Sequence, residues 1–251
     1  MVIKYRMDNI IFIQARMNST RLPGKILKKI SGKTILEIIL ERLENIGDLR
    51  QKILVTGPSE KNQKLIDESN RLGLDFFCGS EENLLDRYYQ ACCVFNAENI
   101  IRLTGDNPLV DSELIIDGMN TFSQKKCDVL SSENDLFPLG MNFDIIRTKT
   151  IKESWNMAIE EFSSREIFQK TFISPVKYIV DANKFKIHDY SITKINPRLR
   201  LTMDYEEDFI LIKNIYENLY QKNNYFNFKD IKNFLEENPE IKKINHKWCK
   251  N

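Results

Sequence analysis

The sequence predicts an α/β fold, a doubly wound and mostly parallel sheet with a strand-helix segment inserted in its second half. Three observations carry that prediction. Short apolar runs alternate with helix-period stretches of about 10–15 residues through the first half of the chain, the pattern of right-handed crossovers between parallel strands. The first run, Ile10-Ile11-Phe12-Ile13, is apolar without interruption, as a strand buried on both faces requires. The chain has 251 residues, 42% hydrophobic and 29% charged, which suits one large domain with an appendage and excludes a disordered, collagen-like or coiled-coil chain.

The elements follow in order. After the first strand, Leu36, Ile39, Leu43 and Ile46 recur at helical spacing with charges between them. Lys52-Ile53-Leu54-Val55-Thr56 reads as the second strand, ended by Gly57-Pro58, and Ser59 to Leu72 as a helix stopped by Gly73. Leu74 to Cys78 is the third strand. Glu81 to Phe95 sets Leu85, Tyr88, Cys92 and Phe95 on one helical stripe, and Asn99 to Thr104 is the fourth strand. Ser112 is the expected cap of a helix reaching about Phe122. The second half is less regular, with strands expected at Val129-Leu130, Met141 to Ile146 and Phe185 to Thr193, and a helix from Thr148 to Phe162. Arg198 to Met203 precedes a long helix starting near Tyr205, and Phe228 to Glu237 forms a terminal one. Residues 1–251 read as one domain, with the inserted segment at about 128–195.

Charge and cysteine usage exclude several classes. Thirty-seven basic against 36 acidic side chains leave a net charge of +1, with no electrostatic footprint for nucleic acid or an anionic membrane. No apolar run approaches the roughly 18 residues of a membrane span, and Met1 to Asp8 lead into a strand, not a signal-peptide core. The five cysteines form no CxxC pair, so a reducing, cytoplasmic location is expected, with Cys92 and Cys93 as small buried residues. With only two histidines, the chemistry is sought among Asp, Arg and Lys.

The most informative stretch is Gln14 to Lys25, QARMNSTRLPGK, directly after the first strand. Arg16, Arg21 and Lys25 lie where open α/β sheets bind ligands, outside the carboxyl ends of the strands. Backbone N–H groups of such a loop hold phosphate oxygens, Arg grips them through paired donors and Lys adds a mobile charge. The competing reading is a solvated basic loop. Thr104-Gly105-Asp106-Asn107-Pro108 places a carboxylate at the same edge, and Leu201-Thr202-Met203-Asp204 reads as a further strand ending in Asp. Asp204 alone suits a helix cap, but paired with Asp106 it forms the ingredients for holding Mg²⁺ against a triphosphate. Other look-alikes fail. Ser31-Gly32-Lys33-Thr34 lacks the Gly that a phosphate-cradling loop needs at position 27, where Leu27 stands, and reads as a turn before a helix. Asn18-Ser19-Thr20 matches a glycosylation acceptor that a cytoplasmic chain does not use. Glu206 and Glu207 suit the first turn of a helix.

These motifs resemble the cytidylyltransferase family that activates acidic sugars as CMP-sugars, including the ketodeoxyoctonate and sialic acid enzymes, and within it the spore-coat polysaccharide branch. The resemblance lies in the Gln14–Arg16 and Ser19–Lys25 stretches, Gly79-Ser80 with Leu84–Tyr89, Arg102–Leu109, and Arg200–Asp204 before Glu207-Asp208. It implies a nucleotide-diphospho-sugar transferase-like sheet and a CTP-dependent, Mg²⁺-dependent nucleotidyl transfer for surface polysaccharide or glycoconjugate synthesis. Arg16, Arg21 and Lys25 would act on the CTP phosphates as catalytic cations. Gln14, Ala15, Ser19, Thr104 and Gly105 would complete the nucleotide site, and Asp106 and Asp204 would hold Mg²⁺. The family also implies a homodimer using the inserted segment. An anionic sugar-type acceptor would be met by Arg87, Arg102, Asn142 and Asp144, with a structural ion pair as the rival reading for each Arg. Where the spore-coat branch has Arg-Glu-His, this chain has Arg165-Glu166-Ile167, which leaves the acceptor open. Two other readings stand beside this one: a nucleotide-sugar-binding subunit without turnover, and a metal-dependent glycosyltransferase.

Overall fold

In the computed structural model, which describes residues 9–46, 52–132, 137–192 and 199–249, the apolar run becomes strand β1 (Asn9–Gln14). Its side chains alternate between two buried layers, Ile11 and Ile13 facing one core and Ile10 and Phe12 the other. A loop and a 3₁₀ turn at Lys25–Leu27 lead to a tight hairpin of β2 (Lys29–Ile30) and β3 (Lys33–Thr34). Ser31 and Gly32 turn it with positive φ, so the P-loop look-alike is a hairpin turn. Thr34 then caps α1 (Ile35–Arg42), its hydroxyl accepting from the Glu37 N–H at 3.2 Å.

The alternation continues as expected through β4 (Lys52–Thr56), α2 (Ser59–Arg71), β5 (Asp75–Cys78), α3 (Leu84–Phe95) and β6 (Asn99–Thr104). Helix α3 begins at Leu84 and not at Glu81, because Asn83 is its cap and accepts from the Asp86 N–H at 2.9 Å. In the next helix, α4 (Ser112–Lys125), the cap is Asp111; Ser112 is already the first helical residue. Cys92 is buried but Cys93 is exposed, since adjacent helical positions point about 100° apart.

The region read as an insertion supplies β7 (Val129–Ser131), β8 (Asp144–Arg147), α5 (Thr148–Glu160), α6 (Arg165–Lys170), α7 (Pro175–Asp181) and β9 (Ile187–Asp189). Strand β8 starts three residues later than the apolar pattern suggested, because Gly140 (φ 105°) turns the chain just before it. Strand β9 is shorter than expected, and Thr193, like residues 133–136 and Arg198, lies outside the described residues. The sheet order is β5-β4-β1-β6-β8-β7-β9. It is parallel from β5 to β6, antiparallel where β8 joins β6 and β7, and parallel again at β9. The mostly parallel α/β sheet is therefore present.

Three helices close the chain: α8 (Glu206–Tyr220), α9 (Phe228–Glu237) and α10 (Pro239–Lys242). The stretch Leu201–Asp204 is no sheet strand. Just before it Arg200 makes an isolated bridge with Leu139, and within it the Leu201 N–H donates to the Leu139 carbonyl at 2.6 Å and the Met203 N–H to the Asp106 carbonyl. No described helix is long and apolar enough to cross a membrane. What the fold provides is an edge where the carboxyl ends of β1, β4 and β6 lie side by side, with the loops after β1 and β6 as neighbours.

Candidate active site

The loop after β1 is held from both ends. The Met17 N–H donates to Asn62 Oδ1 on α2 at 2.9 Å, and the Gly24 N–H reaches back to the Met17 carbonyl at 3.1 Å. Leu22 and Ile26 are buried in the core, so the polar side chains between them are displayed at the sheet edge. Arg16 and Arg21 remain about half exposed, whereas Lys25 is almost enclosed.

The loop after β6 meets this one closely. The Gly105 N–H donates to the Gln14 carbonyl at 2.8 Å, and a Cβ at Gly105 would come within 2.9 Å of Ala15 Cβ and of Ile26 Cδ1. Only glycine allows that approach without displacement. Asp106 follows, and its backbone carbonyl accepts from the Met203 N–H at 2.8 Å and the Thr202 hydroxyl at 3.3 Å. Those two bonds fasten the Asp106 loop to the Asp204 segment, 98 residues apart in the chain by number. The two carboxylates thereby converge on one ammonium, with Lys25 Nζ 3.0 Å from Asp106 Oδ2 and 2.9 Å from Asp204 Oδ1.

Asp204 is held by three cations. Besides Lys25 it accepts from Arg21 Nη2 at 2.9 Å and from Arg200 Nη2 at 3.1 Å. Burial opposes its charge, but the bond from Lys25, with Arg21 and Arg200, holds its carboxyl below the usual carboxylate value. It is not the helix cap: Tyr205 occupies that position, and fully buried Asp208 accepts from the Asp204 and Tyr205 N–H groups, each at 3.0 Å. The acidic first turn of α8 suits the helix dipole, and Glu206 and Glu207 pair outward with Lys28 and Lys247.

A cavity of about 310 Å³ opens between these loops. Its wall includes Gln14, Ala15, Arg16, Ser19, Arg21, Lys25, Thr104, Gly105, Asp106 and Asp204, so the ten residues expected at the nucleotide and metal end come together. Glu81, Leu84 and Phe172 also line it and were not anticipated from the sequence. Glu81 stands 3.5 Å from Arg16, which balances the three cations of the loop against three carboxylates. Phe172 is 66% exposed at the rim, and an apolar residue between two short helices carries no motif that marks it.

The expected acceptor-binding residues do not assemble in the same way. Arg102 and Asp144 lie opposite each other on β6 and β8 and form a buried ion pair at 2.6 Å, with Asp144 also accepting from Ser131 at 2.7 Å. Antiparallel register pairs the two side chains within the sheet. Asn142 spends its amide on the Ser132 carbonyl at 2.8 Å and accepts from the Gly140 N–H at 3.1 Å. Arg87 does touch the cavity, but its guanidinium, whose pKa burial lowers, donates to the Ser80 and Glu81 carbonyls at 2.7 and 2.9 Å. It fixes the turn carrying Glu81. Gln14 Oε1 likewise accepts from the Tyr88 hydroxyl at 3.0 Å, and burial pushes that phenol up to about 12.

Residues 10–232 match the family model described as cytidylyltransferase. An uncharacterised protein of Methanocaldococcus jannaschii is 32% identical over 241 residues, 95% of each chain. The spore coat polysaccharide biosynthesis protein SpsF of Bacillus subtilis is 30% identical over 225 residues, covering 84% of this chain and 88% of its own. Among solved structures, a cytidylyltransferase of Leptospira borgpetersenii superposes with a TM-score of 0.81 at 28% identity, over 94% of this chain and 97% of that one. A match spanning nearly the whole sheet and its binding edge settles the family: the chain belongs to the cytidylyltransferases.

Proposed function

We propose that the protein transfers CMP from CTP to an oxygen of an acidic sugar, or of a sugar or polyol phosphate, and releases pyrophosphate. The acceptor oxygen forms a bond to the α-phosphorus, the bond to the bridging α–β oxygen breaks, and the acceptor's proton passes to solvent. Such a transfer depends on alignment and charge neutralisation and needs no covalent enzyme intermediate. The observation that carries the reading is the convergence of Lys25, Arg21, Asp106 and Asp204 at the carboxyl edge of the sheet. In the free protein these cations are neutralised by carboxylates of the same cavity. A bound triphosphate would take them over, Arg16, Arg21 and Lys25 then opposing the charge that grows on the leaving pyrophosphate.

The same geometry supports Mg²⁺ as the cofactor. Asp106 and Asp204 present hard oxygen donors aimed at a single cation position, which Lys25 Nζ marks. Among the described residues no group of three or more His, Cys, Asp or Glu is arranged to hold a metal ion by itself, so these two carboxylates would leave the other ligand positions to the nucleotide and water. Mg²⁺ bound there supplies charge that polarises the α-phosphate. We further read the protein as a cytoplasmic homodimer through the inserted segment, working in surface polysaccharide synthesis; the name of the Bacillus subtilis relative supports the last of these alone.

The test is pyrophosphate release from CTP and Mg²⁺ across a panel of ulosonic acids and sugar or polyol phosphates. Release with at least one acceptor is expected, and Asp106→Asn should reduce turnover by about 10²-fold or more, the scale on which one well-placed electrostatic group acts. CTP binding without release on any acceptor would instead favour a non-catalytic subunit. Turnover of Asp106→Asn within a fewfold of the unaltered protein would remove the metal role of that carboxylate.

A further inference from the structure

We propose that the C-terminal tail, residues 238–249, is a positioning element of the nucleotide site, acting through Asn245 and Trp248. The inference rests on the cytidylyltransferase reading and extends it to a segment beyond residue 232, where the family match ends. Two independent contacts carry it.

The first runs through a buried carboxylate. Asn245, 2% exposed, donates from Nδ2 to Asp208 Oδ1 at 2.8 Å and to the Arg200 carbonyl at 2.9 Å. Asp208 in turn accepts from Arg200 Nε and Nη2, both at 2.9 Å, and from the backbone N–H groups of Asp204 and Tyr205. Arg200 then reaches Asp204 Oδ2 at 3.1 Å. Arg200 and Asp208 thus hold the Asp204 turn on the side away from the Asp106 loop, and Asn245 donates to the Arg200 carbonyl and to Asp208.

The second runs through an aromatic stack. Trp248 lies face to face with Tyr205, ring centroids 3.6 Å apart and planes inclined by 1°. The Arg21 guanidinium carbon sits 5.1 Å from the centroid of the same Tyr205 ring. Trp248 is itself fixed, since its indole N–H donates to Glu207 Oε2 at 3.0 Å and Lys247 pairs with the other Glu207 oxygen at 2.6 Å. The tail therefore supports both a phosphate-facing cation, Arg21, and a carboxylate, Asp204, without lining the cavity. Partners that orient metal ligands in this way are typically worth about 10–100-fold in metal affinity or activity when removed.

The experiment is calorimetric titration of the full chain with CTP in excess Mg²⁺, alongside thermal melting. Trp248→Ala and Asn245→Ala are expected to weaken CTP binding about tenfold, while Trp248→Phe, which keeps a ring over Tyr205, stays within about twofold. Ile241→Ala loosens the same C-terminal packing without touching the Asp204 turn. It should lower the melting temperature yet leave CTP affinity within twofold. If Trp248→Ala does not fold, Asn245→Ala and Trp248→Phe still decide. CTP affinity within twofold of the unaltered protein in Trp248→Ala and Asn245→Ala, or a loss in Ile241→Ala as large as theirs, overturns the proposal. A folded, unaltered protein that binds no CTP overturns the cytidylyltransferase reading itself, and this inference with it.

Discussion

At the scale of single residues, the site is a balance of charges that its ligands would have to redistribute. Lys25 was expected as a phosphate-binding cation and Asp106 and Asp204 as a metal pair; the structure joins all three in one contact, lysine between the carboxylates. The acidic side of this balance has a pH signature. Burial opposes ionisation of Asp204, but Lys25, Arg21 and Arg200 outweigh it and keep its carboxyl below its ordinary value. A carboxylate with a lower pKa folded than unfolded contributes stability that is complete above the unfolded value, near 3.9, and is lost as pH falls through the folded one. Melting temperatures of the unaltered protein and Asp204→Asn should therefore differ by a constant amount from pH 7 to about 5. The gap should close below about pH 4. A gap that stays unchanged down to pH 3 would mean that Asp204 is not a stabilising ion-pair partner.

At the scale of elements, what the sequence made legible was what local patterning controls. The strand before Arg16 is an unbroken apolar run and the strand before Asp106 is apolar but for Arg102, and each ends where a loop of charged and small residues begins, which places both loops at the binding edge. Asp204 was found by its neighbours Leu201 and Met203, but the strand drawn through them is absent. Its position depends on the contact of Leu139 and Gly140 with Arg200–Thr202, distant in the chain. For Arg102 the sequence leaves an acceptor contact and a structural ion pair both open, and the structure supplies the pair, with Asp144 opposite it on β8, because cross-strand register is invisible in one sequence. The docking of the Asp204 segment turns on Gly140. A Cβ there would lie 2.1 Å from the Leu201 carbonyl carbon and 2.2 Å from the Thr202 nitrogen, both backbone atoms, and φ is 105°. Gly140→Ala must push the two segments apart, and about 1–3 kcal/mol of destabilisation is expected from urea unfolding, together with weaker CTP binding. A variant within about 0.5 kcal/mol of the unaltered protein would show that this close approach does not hold the Asp204 segment.

At the scale of the whole molecule, four of the nine large apolar side chains exposed among the described residues lie on or between helices of one layer. Singly scattered apolar side chains are ordinary on a soluble protein, so it is their grouping that carries information. Ile167, Phe172 and Val180 are each between 45% and 66% exposed, and all three fall on or between α6 and α7 of the inserted segment. Helices α7 and α5 pack against α3, which adds Val94, 62% exposed, on the same side of the sheet. A second copy covering this layer would bury those side chains together, and Phe172 would then be fixed at the rim of the cavity it already lines. The prediction is a solution mass of about twice 29.6 kDa by light scattering at micromolar concentration, falling to one copy in Val180→Glu. Val180 lies outside the cavity wall, so the variant should bind CTP unless Phe172 depends on the partner for its place. A monomeric mass for the unaltered protein across that concentration range would leave this apolar layer without the partner assigned to it.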